Sequence, residues 1–153
     1  TVYFTTRCDA YEIETLIQGK QATLARYEEI LKLKSDNNAS NKDEALITVF
    51  EVAMEMFDRG YRFANISLEK SDGHQFRLDP DDYRSIIPPF TSIEGLGDSV
   101  GDSIVSARRE HEFTSIEDVK GRTRLSNTHL DILKAMGVFD HLSESNQLSI
   151  FDL

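Results

Sequence analysis

"IEGLGDSVGDSIVSARRE", residues 93–110, is the stretch on which the fold turns. Two glycines, Gly95 and Gly97, bracket Leu96, and a helix-like run follows at once. Before them, Pro89 to Glu94 has the composition of a single helical turn. Glycine reaches backbone angles closed to other residues, which suits a corner. Leu96 is placed to turn inward and pin that corner to a core. Asp98 is a candidate cap for the helix that follows, through Val100, Ile104, Val105 and Arg108.

Helix, tight Gly-apolar-Gly turn, helix is the sequence pattern of a helix-hairpin-helix. Its chemistry follows from the glycines. A turn without side chains can approach a ligand closely. The free N–H groups at the start of the next helix, with the helix dipole, suit an anion. DNA phosphate is the obvious one, and such contacts read the backbone, not the bases. The candidate contact residues are Gly95, Leu96, Gly97, Asp98, Ser99, Val100 and Gly101. "VKGRTRL", residues 119–125, adds Lys120, Arg122 and Arg124 in a run with no acid, and Arg108 comes from the Arg108-Arg109 pair. A glycine-rich turn between two packed helices, with basic residues on a solvated face, is the plainer alternative. A dinucleotide-binding loop does not fit, because no strand leads into the glycines and no third glycine follows at the required place.

Downstream, "EFTSIEDVKGRTRLSNTHLDILKAMGVFDHL", residues 112–142, repeats the theme. Ser115 with Asp118 resembles an acidic capping box. Ser126 caps a further helix, with Leu130, Leu133 and Met136 inward and Gly137 at its end. Paired units of this kind would present two phosphate contacts across a duplex, with Ser126 joining the candidate set.

The rest of the chain bounds the answer. Its 153 residues suit one domain, or one domain with an appendage. It opens on Thr1 and an apolar run, so it reads as a fragment of something longer. No run of about 18 apolar residues implies a membrane span, and no signal peptide is recognisable. One cysteine, Cys8, excludes an internal disulfide framework and fits a reducing, cytoplasmic setting. The four histidines show no zinc-ligand spacing. A net charge of −10 argues against a purely electrostatic grip on nucleic acid.

Periodicity predicts the remaining elements. Val2 to Thr6, β-branched and aromatic, reads as a strand. Ala10 to Gln18 reads as a helix capped by Asp9 and stopped by Gly19, and Gln21 to Lys34 as a longer one. "SDNNASNKD", residues 35–43, is a polar loop and the candidate linker. Ala45 to Arg59 is the strongest helix, with Leu46, Val49, Phe50, Ala53 and Phe57 in one apolar stripe. Phe63 to Glu69 and Gln75 to Leu78 read as strands joined across Asp72-Gly73. Pro88 and Pro89 hold the backbone extended before the first hairpin.

Read together, several motifs resemble one family. "IPPFTSIEGLGDSVGDSIVSAR", "FTSIEDV", "LSNTHLDILKAMGVFDHL" and "NQLSIF" are similar, in that order, to the carboxyl end of the PolC-type alpha chains of bacterial DNA polymerase III. "YFTTR", "IETLIQG", "VFEVAMEMFDRGYRFANISLEKS" and "FRLD" resemble the preceding stretch of the same family. The resemblance implies a mainly α fold with a small β-hairpin: a tandem helix-hairpin-helix domain preceded by a helical fingers remnant. It implies that residues 1–38 close the fingers region, 39–43 link, 44–142 hold duplex DNA, and 143–153 form a flexible tail. Gly101 stands where many such motifs carry alanine, which should loosen the second helix. Asp98 and Asp102 should weaken phosphate binding.

The tail offers a polar anchor and then apolar ones: Gln147, Leu148, Ile150 and Phe151. Such a peptide can fill a preformed pocket on a partner, or dock on its own core. With Ser149 it resembles the family's sliding-clamp-binding pentapeptide, which implies the beta subunit of the polymerase as partner, beside duplex DNA and the remainder of the polymerase chain. Catalysis is not expected here. Phosphoryl transfer needs carboxylates that hold paired Mg²⁺ ions, and the family's palm aspartates have no counterpart in this segment. No cofactor is therefore expected in the chain, and Mg²⁺ is implied only for the parent nucleotidyltransferase. A helix-hairpin-helix repair factor and a protein-interaction scaffold are the alternatives.

Overall fold

The computed structural model describes residues 2–7 and 10–145. Four helices come first: α1 (Val2–Arg7), α2 (Ile13–Gln18), α3 (Lys20–Ser35) and α4 (Asn41–Asp58). Three short strands follow, β1 (Arg62–Phe63), β2 (Arg77–Asp79) and β3 (Asp82–Ile87). After a 3-10 turn at Phe90–Ser92 come α5 (Asp98–Glu110), α6 (Ile116–Arg122) and α7 (Asn127–Ala135). The fold is mainly α with a small β-hairpin, as the sequence implies.

α4 starts where its cap dictates. The Ser40 hydroxyl accepts the Asp43 N–H, and the Asp43 carboxylate accepts the Ser40 N–H. Such a cap contributes about 1 kcal/mol. The Ser40 hydroxyl, with the Ser40 N–H, holds the Asp43 carboxyl below its ordinary value. Residues 41–43 of the expected polar loop therefore belong to the helix. Leu46, Val49, Phe50 and Ala53 are buried as the stripe predicts, and Phe57 is half-buried. α2 begins later than expected, at Ile13, and Asp9 lies outside the described residues. The Glu12 carboxylate takes two bonds from Arg26 of α3, at 3.2 and 3.1 Å, and Arg26 also reaches Asp43 at 3.0 Å. One guanidinium thus joins α2, α3 and α4.

Three expectations are corrected here. The opening stretch is helical, not a strand: Phe4 is buried and packs edge-on against Phe63 at 5.2 Å and beside Phe76 at 5.6 Å. The turn between strands lies at Pro80-Asp81, not at Asp72-Gly73. β3 runs between β1 and β2, parallel to β1 with Phe63 opposite Ile86, and antiparallel to β2 with Leu78 opposite Ile86. Asp72-Gly73 instead pairs with the 3-10 turn: Phe90 N–H donates to Asp72 O and Thr91 N–H to Gly73 O, at 2.9 and 3.2 Å. Residues 64–69, expected in a strand, form an irregular loop whose Ile66 and Leu68 still point into the core.

Two apolar clusters fill the interior. One gathers Phe4, Leu16, Ile30, Leu46, Phe50 and the inner face of the sheet. The other gathers Phe90, Leu96, Ile104, Val119, Leu133 and Phe139. Met136 packs against both, and the Asn65 amide donates to its carbonyl at 2.6 Å.

Candidate nucleic-acid interface

The first corner is built as its glycines require. Gly95 has φ +79°, the left-handed region. Leu96 is 4% exposed and pins the corner to the core, as expected. Gly97, not Asp98, is the N-cap of α5; Asp98 is the first helical residue, and Gly97 has no side chain to bond the N–H groups of the first turn. The Val100 and Gly101 N–H groups both donate to Gly97 O, at 3.0 and 3.1 Å. The donors facing outward are thus the N–H groups ahead of them, at Asp98 and Ser99, which have no intrahelical partner in any α-helix. Gly95, Gly97, Asp98 and Ser99 are exposed, Val100 is half-buried, and Gly101 is buried.

Gly101 has a packing reason that the sequence did not reveal. A Cβ there would lie 3.1 Å from the Gly73 carbonyl oxygen, and a Cβ on Gly73 would lie 3.2 Å from the Asp102 carboxylate. Two glycines let α5 and the Asp72-Gly73 loop touch backbone to backbone. A residue expected to loosen α5 thus also permits its close approach to the Gly73 loop.

The second corner, between α6 and α7, follows the same plan with different residues. Leu125, 7% exposed, takes the inward role of Leu96, flanked by Arg124 and Ser126 in place of glycines. Ser115 caps α6 by accepting the Asp118 N–H at 3.0 Å. Ser126 caps α7 by accepting the His129 N–H at 3.2 Å, and the ring Nδ1 of His129 accepts the Ser126 N–H at 3.3 Å. Its Nε2 lies 3.1 Å from Gly95 O, on the other corner. Sequence reasoning missed His129; its place three residues after a capping serine was the one available signal.

The basic residues divide into two kinds. Arg108 does not face outward: it donates to the carbonyls of Leu68, at 2.9 Å, and Ser71. Burial pushes its guanidinium below the ordinary value. Arg122 is likewise committed inward. It bonds Asp118 at 3.0 Å and the carbonyls of Ala107 and His111, and lies 4.9 Å over the Phe113 ring. Both were expected at the interface; Arg108 satisfies carbonyls of the Leu68–Ser71 loop, and Arg122 satisfies one carbonyl within α5 and one at its C-cap. Lys120 and Arg124 are exposed. Arg124 shares a groove with Ser99, Ser103 and Thr123, and its N–H donates to the Ser103 hydroxyl at 2.9 Å. Lys120 lies on another face, between α6 and α7, with Asn127 and Lys134.

The acids near the first corner have a counter-charge. His74 Nε2 lies 2.6 Å from Asp102 and Nδ1 lies 3.4 Å from Asp98. The bond to Asp102, opposed by some burial, holds the imidazole above its ordinary value. Among the described residues, no cluster of three or more His, Cys, Asp or Glu could hold a metal ion. No helix there is long and apolar enough to cross a membrane.

Gln147, Leu148, Ser149, Ile150 and Phe151 lie outside the described residues. The chain just before them is held: Ile116 and Glu117 N–H donate to Ser143 and Glu144 carbonyls at 2.9 and 3.1 Å.

Two hairpin corners, each pinned by a leucine and each opening a helix, make a tandem module. The chain belongs to the helix-hairpin-helix motif family, whose model matches residues 60–148. Over 98% of its length it is 39% identical to a PolC-type DNA polymerase III from Streptococcus pyogenes. Over 97% it is 37% identical to a PolC-type DNA polymerase III from Ureaplasma parvum. The chain spans about 10% of the length of these relatives.

Proposed function

We propose that this chain is a non-catalytic, duplex-binding part of a PolC-type replicative polymerase. It grips the DNA backbone without sequence preference and tethers the polymerase to the sliding clamp. The observation that carries the reading is the pairing of the two corners: the exposed, uncapped start of α5 beside a second corner that presents Arg124. Backbone N–H groups at Asp98 and Ser99 and the dipole of α5 would meet phosphate oxygens. Arg124 would add charge beside the first corner, and Lys120 would add it from the separate α6–α7 face. Ser126, whose hydroxyl accepts the His129 N–H, would still have its own O–H to donate to a phosphate oxygen. The relatives named above are DNA polymerases, which supports this reading over a scaffold.

The clamp half of the reading rests on Gln147 to Phe151 and their resemblance to a clamp-binding pentapeptide. The bonds from Ser143 and Glu144 to the start of α6 would make that tail leave the domain from a fixed point. Mg²⁺ chemistry would belong to other parts of the polymerase, in a cytoplasmic setting consistent with the single cysteine. Salt titrations test the DNA half. Two duplexes of unrelated sequence should bind alike, and Lys120→Ala with Arg124→Ala should lower the log–log salt slope by about two. A strong preference for one sequence, or an unchanged slope, would overturn it.

A further inference from the structure

We propose that His129 is a positioning residue: one imidazole fixes both the start of α7 and the carbonyl of the Gly95 corner, and so sets the spacing at which the two corners meet a duplex. The proposal rests on the duplex-binding reading above.

The two ring nitrogens have different partners. Nδ1 faces the Ser126 N–H at 3.3 Å, so it accepts. The ring proton is thereby assigned to Nε2, which donates to Gly95 O at 3.1 Å. This links residues 34 apart in sequence. The other bonds from the second unit to α5 land farther along it: Arg124 on the Ser103 hydroxyl and Arg122 on the Ala107 carbonyl. His129 reaches the corner itself, at the peptide with positive φ, next to the buried Leu96 whose N–H donates to Ile93 O at 3.1 Å. Hydrogen bonds weaken steeply with misalignment. A two-corner grip on a rigid phosphate ladder therefore depends on how the corners are held apart.

The two roles of the ring can be separated. Asparagine places an acceptor near Nδ1, keeps the cap and falls short of Gly95. Glutamine places a donor near Nε2 and is itself favoured at this position of a capping box. The experiment compares wild type with His129→Asn, His129→Gln and His129→Ala in three readouts: melting temperature, hydrogen exchange at the Leu96 amide, and affinity for a random-sequence duplex at low salt. The asparagine variant should melt only a few degrees below wild type, less than the alanine variant, exchange faster at Leu96 and bind duplex about fivefold more weakly, the worth of one hydrogen bond. Glutamine should restore exchange and affinity. If wild type binds and the asparagine variant binds equally, the proposal falls while the duplex-binding reading stands. If affinity in every variant merely tracks melting temperature, the role is structural and the proposal is overturned. If wild type itself does not bind duplex, the reading falls and the proposal with it.

Discussion

At the scale of single residues, side chains of one type hold different posts. Arg122 carries four interactions, with Asp118, two carbonyls and the Phe113 ring, while the Arg124 side chain extends into solvent at the groove edge. Arg122→Ala should therefore destabilise the fold by about 2 kcal/mol or more, because hydrogen bonds to charged groups are worth more than neutral ones. Lys120→Ala should leave stability within about 0.5 kcal/mol and act on DNA affinity instead. Urea melts of both variants check the contrast; equal effects would place the two cations wrongly. Gly101→Ala is a second test. Helix propensity alone favours alanine by about 1 kcal/mol. The Gly73 carbonyl at 3.1 Å opposes it, so the variant should be no more stable than wild type. A clear gain in melting temperature would show that the contact yields freely.

At the scale of elements, the corner and helices α3, α4, α5 and α7 were legible because their signals are local. Glycine spacing, serine caps and a 3.6-residue stripe need no distant partner. The opening "VYFTT" was misread because its residues favour strands in isolation, whereas Phe4 is held by Phe63 and Phe76 from far along the chain. Asp72-Gly73 is a good hairpin sequence, yet the Asp72 carboxylate takes the His74 and Gln75 N–H groups and the loop packs on α5. Nor could spacing reveal that Arg108 closes the Leu68–Ser71 loop. The same loop delivers His74 to Asp98 and Asp102, with Asp72 and Arg77 nearby. The bond to Asp102 raises the His74 imidazole. Its contribution to stability is therefore complete below the ordinary histidine value of about 6.5 and is lost as pH rises through the raised value. The charge it lends against the two carboxylates beside the corner follows the same course. Wild type should exceed His74→Gln in melting temperature and duplex affinity on the acid side, and the two should converge on the alkaline side. The effect should be modest and salt-sensitive, since the groups are solvent-exposed. A difference that grows with pH would contradict the assignment.

At the scale of the whole molecule, two apolar clusters meet at Met136, so the helical start and the paired corners are held together. We propose that this body holds DNA and that Gln147 to Phe151 hold a clamp; two weak holds engaged at once would multiply. Leu148→Ala with Phe151→Ala should abolish most clamp binding in surface resonance, since a single aromatic anchor is commonly worth about 2 kcal/mol or more. Duplex affinity should be untouched. Primer extension with Mg²⁺ should give no incorporation above a mock preparation. The central claim is that backbone at the first corner meets phosphate. Gly97 tests it most directly: its φ of −79° suits any residue, and an added Cβ meets nothing within 4 Å. Gly97→Val should therefore fold normally and keep the duplex from approaching. In an anisotropy titration on random-sequence duplex at low salt, wild type should bind with an affinity that falls steeply as salt rises. The valine variant should bind several-fold more weakly, with only the small loss of melting temperature expected of valine at a helix N-cap. Equal affinity of the two proteins would contradict the account.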